Sequence, residues 1–138
     1  MKQKLKNILL VDDDPAAHFL HTRVIKRLEC ADNIATVDNG IEAIAFLKAH
    51  AVNGHPAPEL ILLDINMPLM NAWEFLKAYN LLPAQQRMQT VIIMVTTSIN
   101  PDDELRAKNM PDVNGFHLKP LDKEGMLQIL QTHFPHWL

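Results

Sequence analysis

Only one cysteine, Cys30, occurs in the chain, so no intramolecular disulfide can form. That suits a reducing cytosol and argues against a stapled secreted domain. Lysine and arginine nowhere gather into a patch, and the formal net charge is -3, so direct binding of nucleic acid is not expected. Long apolar runs are missing as well. The basic stretch Met1 to Asn7 leads into Ile8 to Val11, which stops at three aspartates. This is too short for a signal peptide and far short of the roughly 20 apolar residues that span a bilayer. Glycine is scarce, at four residues, and there is no internal repeat, low-complexity tract or linker.

What remains is a chain of 138 residues, 48% of them hydrophobic, enough for one core and too little for two. We expect one domain over residues 1–138, with its core at about 6–134. Short apolar runs recur at Ile8 to Val11, Ile34 to Val37, Leu60 to Leu63 and Val91 to Val95, with a weaker fifth at Phe116 to Leu118. Runs that are apolar at every position, without alternation, suit strands buried on both faces of a parallel sheet.

Helix signals fill the intervals. Asp14 before Pro15 is a capping residue followed by the residue most at home in a first turn. The helix it opens shows Ala17, Leu20, Val24 and Leu28 at intervals of three and four. Asn39 with Glu42, and Asn71 with Glu74, have the spacing of capping boxes. Asn100 and Pro101 open a short charged helix that ends before Pro111, and Asp122 opens a last one whose Leu127, Leu130 and Phe134 form one face. Five strand-then-helix repeats with right-handed crossovers predict a doubly wound α/β sandwich.

In such sheets ligands bind at the carboxyl ends of the strands. The residues there are Asp12, Asp13 and Asp14 after the first strand, Asp64 after the third, Thr96 and Thr97 after the fourth, and Lys119 after the fifth. Crowded carboxylates repel, at about 4 kcal/mol for a pair about 4 Å apart at an effective dielectric near 20. Lys119 supplies one offsetting charge, and the remaining oxygens are the kind of ligand a hard divalent cation seeks. The cluster reads as a magnesium site with room for a phosphate.

These residues carry a resemblance. The stretches ILLVDDDP at Ile8 to Pro15, LILLDINMP at Leu60 to Pro68, VTTS at Val95 to Ser98 and LKP at Leu118 to Pro120 together resemble the receiver domains of bacterial two-component systems, over about Lys6 to Phe134. The resemblance implies a flavodoxin-like sheet of five strands in the order 2-1-3-4-5 with five helices. It implies that Asp64 accepts a phosphoryl group from a phosphohistidine, and that Asp13 ligates magnesium directly while Asp12 acts mostly through water. Asn66 would offer its backbone carbonyl to the metal, and Thr96 and Lys119 would donate hydrogen bonds to phosphoryl oxygens. The Lys119 to Pro120 peptide would be cis, helping to aim the lysine inward.

The resemblance further implies a switch in which the Thr96 hydroxyl moves toward the phosphoryl group and Phe116 swings into the space left. This would bias the face made by the fourth helix, fifth strand and fifth helix. Phe116 lacks a tyrosine's hydroxyl, so switching would rest on packing. Leu69 and Ala72 stand where many relatives carry glycine, a residue suited to positive φ. Asn66 and Ser98 hold positions that tune loss of the phosphoryl group in relatives.

Duller readings stand beside these. Asp14 reads as a helix cap and not as a third ligand. Lys119 taken alone is a surface lysine, Thr96 and Thr97 taken alone simply end a strand, and His18 reads as a surface histidine. His18 with His21, and His133 with His136, lack a cysteine or second pair to complete a tetrahedral zinc site. Trp137 and Leu138 are either a frayed tail or an apolar patch that docks on a neighbour.

The leading expectation is a cytoplasmic, stand-alone response regulator whose partners are a sensor histidine kinase or histidine phosphotransfer protein and a downstream protein. It would be a monomer, or a dimer formed on phosphorylation, and no enzyme beyond handling its own phosphoryl group. The alternatives are a binding module that never sees phosphate and a magnesium-dependent aspartyl phosphatase. Phosphatases of that kind place an acid two residues past the nucleophile, where this chain has Asn66.

Overall fold

The computed structural model describes residues 3–137. Five strands alternate with five helices: β1 (Leu5–Val11), α1 (Pro15–Leu28), β2 (Ala31–Val37), α2 (Gly40–Val52), β3 (Leu60–Leu63), α3 (Ala72–Tyr79), β4 (Val91–Thr96), α4 (Pro101–Lys108), β5 (Gly115–Leu118) and α5 (Lys123–His133). All the strand pairings are parallel, in the order β2-β1-β3-β4-β5. No helix among the described residues is long and apolar enough to cross a membrane.

Because side chains alternate across a strand, each central strand feeds two cores. Leu9, Val11, Ile61, Leu63, Ile92 and Met94 face α2, α3 and α4, where Ala43, Leu47, Phe75, Leu76, Tyr79 and Ala107 meet them. Ile8, Leu10, Leu60, Leu62, Ile93 and Val95 face the other side, against Ile25 of α1 and Met126, Ile129 and Leu130 of α5. Each fully buried aliphatic side chain contributes roughly 1.5–3 kcal/mol, which is why uniformly apolar runs become the interior strands. The two edge strands are the exceptions: β2 buries only Val37, and no residue of β5 is fully buried, as a place at the sheet edge requires.

The expected caps are present. Asp14 accepts from the Ala16 amide, Asn39 from Glu42, Asn100 from Asp102 and Asp122 from Gly125, while Asn71 and Glu74 form a reciprocal capping box. The Lys119–Pro120 peptide is cis. Of the two positions where the resemblance leads one to expect glycine, Leu69 has φ 65°, a left-handed conformation that costs an L-residue roughly 1–2 kcal/mol. Ala72 needs no such conformation. It opens α3, is fully buried, and donates its amide to the Ile65 carbonyl.

Two helix faces differ from the periodicity reading. α1 buries Ala17, His21 and Ile25, leaving Leu20 44% exposed and Val24 and Leu28 half-buried. A hydrophobic count passes over His21, so the stripe is drawn one residue off. α5 buries Met126, Ile129 and Leu130, with Leu127 at the margin and Phe134 buried just past the helix end. Trp137 is neither a frayed tail nor a patch for a neighbour: at 1% exposure, it closes the α1/α5 core of its own chain. Leu138 lies outside the described residues.

We expect Trp137→Ala to cost about 3–5 kcal/mol, the range for removing a large buried aromatic, measured as a lowered midpoint in urea denaturation.

Candidate functional site

Strand register builds the site. Val11 of β1 pairs with Leu63 of β3, and the Asp64 amide donates to the Val11 carbonyl at 2.9 Å. The next residues, Asp12 and Asp64, therefore emerge side by side, one inter-strand spacing of about 4.8 Å apart in backbone terms. This is also where the chain order reverses, since β1 lies between β2 and β3, and such switch points open a crevice. On the far side, Thr96 pairs with Leu118, so Lys119 leaves β5 beside the end of β4, its amide donating to the Thr96 carbonyl at 2.8 Å.

Asp12 and Asp64 are 5% and 6% exposed. Asp12 Oδ1 accepts from the Asp14 amide at 3.0 Å and Oδ2 meets Lys119 Nζ at 2.5 Å. Asp64 Oδ1 accepts from the Ile65 amide at 2.9 Å, and its Oδ2 lies 3.5 Å from the same ammonium. Asp13, exposed, completes a cluster in which one ligand oxygen each from Asp12, Asp13 and Asp64 lies within 4.8 Å of the others. Asn66 is exposed in the loop that follows. Thr96 is fully buried at the end of β4; its hydroxyl oxygen accepts from the Ser98 amide at 3.2 Å, which leaves the hydroxyl proton for another acceptor. Phe116, on β5, is half-buried against the α4 side of the core.

The electrostatics are uneven. Burial pushes the Asp64 carboxyl up to about 6, the neighbouring Asp12 charge adds to this, and Lys119 opposes it. Burial lowers the Lys119 ammonium, but its hydrogen bond to Asp12 and the charge of Asp64 outweigh that and leave it raised. One cation thus serves two buried carboxylates and sits closer to Asp12. Asp64 carries the uncompensated share, which is the property expected of a carboxylate that takes a further positive partner.

The donor set fits a hard divalent cation: three carboxylates converge at one edge, and an exposed one leaves room for retained waters. Asp14 acts as the α1 cap, as its sequence position indicated. His18 is not the surface residue expected. Its side chain is only 14% exposed, with Nε2 3.6 Å from Asp38. Burial of α1 against the sheet and the loop after β2 draws it in.

Comparison with known proteins decides the family. The family model described as "Response regulator receiver domain" matches residues 8–131. The chain belongs to the response regulator receiver family. It is 31% identical over 134 residues to the response regulator Rcp1 of Synechocystis, spanning 96% of this chain and 89% of that protein. The crystal structure of a two-component response regulator from Cytophaga hutchinsonii superposes with a TM-score of 0.88 at 26% identity, covering 96% of this receiver and 99% of that chain. A Mn2+-bound form of Rcp1 is similar at a TM-score of 0.70 and 30% identity, covering 92% and 90% of the two chains. The five-stranded flavodoxin-like order read from the motifs is the one observed.

A raised carboxylate makes a signed prediction for the metal-free receiver. Above about pH 6 Asp64 is ionised when folded, against 3.8 for its ordinary value. The folded state therefore binds the extra proton between these values, and stability falls as pH rises through that window. Asp64→Asn should raise stability at pH 7 by up to roughly 3 kcal/mol, the equivalent of about two pKa units. Its advantage should vanish near pH 3.5, as urea midpoints in chelator at the two pH values would record.

Proposed function

We propose that this receiver accepts a phosphoryl group on Asp64 from a phosphohistidine, supplied by a sensor histidine kinase or a histidine phosphotransfer protein, with Mg2+ held by Asp13, Asp64, the Asn66 carbonyl and, through water, Asp12. The observation that carries the reading is the convergence of the Asp12, Asp13 and Asp64 oxygens with Lys119 bridging the two buried members. Side chains from three separate stretches of the chain, the adjacent pair Asp12 and Asp13, then Asp64, then Lys119, meet at one sheet edge, and together they are the parts that phosphoryl transfer needs.

The transfer breaks the P–N bond of the donor and forms a P–O bond to an Asp64 carboxylate oxygen. The electron pair of the broken bond stays on the donor imidazole nitrogen. Charge moves onto the equatorial phosphoryl oxygens, which positioned donors stabilise. Lys119 gives its ammonium to one such oxygen, exchanging part of its contact with Asp64, and Thr96 gives its hydroxyl proton to another. When bound, Mg2+ supplies positive charge that offsets the carboxylates and the incoming phosphoryl oxygens. The carboxylate nucleophile itself needs no base, being ionised near neutral pH despite its raised pKa.

Phosphorylation then acts as a charge switch. The Thr96 hydroxyl turns to the phosphoryl group, Phe116 follows by packing alone, and the face of α4, β5 and α5 changes its affinity for a downstream protein; alternatively the phosphoryl group passes along a relay. On this reading the chain works as a single cytoplasmic receiver domain, a monomer or a dimer formed on phosphorylation. It is no enzyme toward small substrates, because Asn66 offers no general acid.

Incubation with acetyl phosphate and Mg2+, followed by intact mass, should show the gain of one phosphoryl group that hydroxylamine removes. Asp64→Asn should abolish it, EDTA should suppress it, and Lys119→Ala should slow it by about 10²-fold, the typical cost of one transition-state donor. Continuous phosphate release from many substrates would replace this reading with a phosphatase. No modification by any donor would replace it with a binding module independent of phosphate.

A further inference from the structure

We propose that His21 is a positioning residue for Lys119: its imidazole, buried on the inner face of α1, accepts the backbone N–H of Leu121 and holds the segment from which the bridging ammonium projects. The proposal rests on the reading of Asp64 as phosphoacceptor, and it concerns how that site is kept in register.

His21 occupies the middle of the buried face of α1, between Ala17 and Ile25, at 4% exposure. An imidazole in such a place costs free energy unless its polar atoms find partners. Its Nε2 accepts from the Leu121 amide at 3.3 Å, across a sequence separation of 100 residues. Leu121 is itself 4% exposed, so no solvent stands ready to replace that acceptor. A nitrogen that accepts carries no proton, so the ring is neutral with its hydrogen on Nδ1. Burial favours the neutral ring, and the Lys119 charge adds to this against the opposing charge of Asp12.

The consequence lies in where the segment is tied. Lys119 donates its amide to the Thr96 carbonyl of β4, Pro120 has no amide to give, and Leu121 donates to His21 of α1. The short stretch carrying the ammonium is therefore pinned once to the sheet and once to the helix that follows the acidic pair. Asp12 and Asp14 belong to the loop that starts this same helix, with Asp14 as its cap. Through His21, the element carrying the carboxylates also fixes the element carrying their cation. Misplacing a charged donor by about 1 Å is enough to slow a reaction by about 10²-fold. A leucine at position 21 would fill the space and leave the Leu121 amide without its acceptor.

The test compares the full chain with His21→Leu and His21→Gln, the glutamine placing its Oε1 near the position of the imidazole Nε2. Nitrogen-15 NMR of the wild type should show the Nδ1–H tautomer. Hydrogen exchange should rise by about tenfold or more at both Leu121 and Lys119 in the leucine variant and return toward wild type in the glutamine variant, as expected when one local hydrogen bond is lost and regained. The rate of phosphorylation by acetyl phosphate should follow the same order, falling about tenfold or more with leucine and recovering with glutamine, while calorimetry finds Mg2+ affinity preserved in both. General unfolding would instead lower rate and affinity together. If the leucine variant does not fold, His21→Asn replaces it, since its shorter amide stops short of Leu121. Equal rates in all variants, equal loss with leucine and glutamine, or wild-type exchange at Lys119 in the leucine variant would overturn the proposal. If the wild type accepts no phosphoryl group, the phosphoacceptor reading fails, and the exchange at Lys119 alone decides whether His21 holds the segment.

Discussion

Asp12 and Asp64 are pressed together by the pairing of β1 with β3, and Lys119 is the charge that lets both stay there. Two buried carboxylates a few ångströms apart repel by several kcal/mol, and each would also lose hydration. The backbone settles part of the debt by giving one amide to each, Asp14 to Asp12 and Ile65 to Asp64. A single ammonium cannot neutralise two acids, and because it sits nearer Asp12, Asp64 remains the one whose charge is resisted. The same imbalance that destabilises the cluster makes a cation a favourable partner there, and on the proposed reading it leaves Asp64 as the phosphoryl acceptor. Stability and reactivity are set here by one geometric fact, the register of two strands.

Much of this was legible because the chemistry sits where strand ends put it. The three central apolar runs, ILLV, LILL and VIIMV, have no polar residue to interrupt them, so their ends are sharp, and the residue after each end is an acid or a threonine, while Lys119 follows the weaker run of the edge strand β5. Once the sheet order follows, Asp12, Asp64, Thr96 and Lys119 have nowhere to go but one edge. The caps were equally plain: Asp14 with Pro15, and Asn71 with Glu74, act within a few residues of chain, where sequence and geometry coincide. The edge strand β2 was harder to bound, since it begins at Ala31, ahead of its apolar run, and is extended by pairing with β1 and not by its own hydrophobicity.

What the sequence hid are interactions decided by partners far along the chain. His21 looks polar and belongs outside by any hydropathy count, yet it is buried with its acceptor nitrogen against Leu121. With His21 on the inner face, the buried stripe of α1 runs Ala17, His21 and Ile25, which leaves Leu20 outward and Val24 and Leu28 at the margin. Trp137 looked like a loose end for a related reason: nothing near it in sequence shows the gap between α1, α5 and the sheet that it fills. Leu69 is a different case. Its backbone bears a positive φ that glycine would adopt without cost, and no local pattern of residues marks that conformation on a leucine. The side chain is 78% exposed, so no packing offsets the strain.

The hydrogen bonds beyond Thr96 give the proposed switch a physical path. The Thr96 hydroxyl accepts from the Ser98 amide, Ser98 Oγ donates to Asp103 of α4 at 2.5 Å, and the same Oγ accepts from the amide of Asn100, the α4 cap. A turn of the Thr96 side chain toward Asp64 must therefore release or bend a connection that ends in the first turn of α4. That helix is short, bears Asp102, Asp103 and Glu104 in its first turn, and buries only Ala107, so little hydrophobic area resists its displacement. Phe116 stands in the strand register beside Met94, two residues before Thr96, and borders a cleft lined by Glu104, Ala107 and Lys108 of α4. A helix that buries little apolar area, linked to the site by one serine and flanked by a half-buried ring, is where the proposed switch would act.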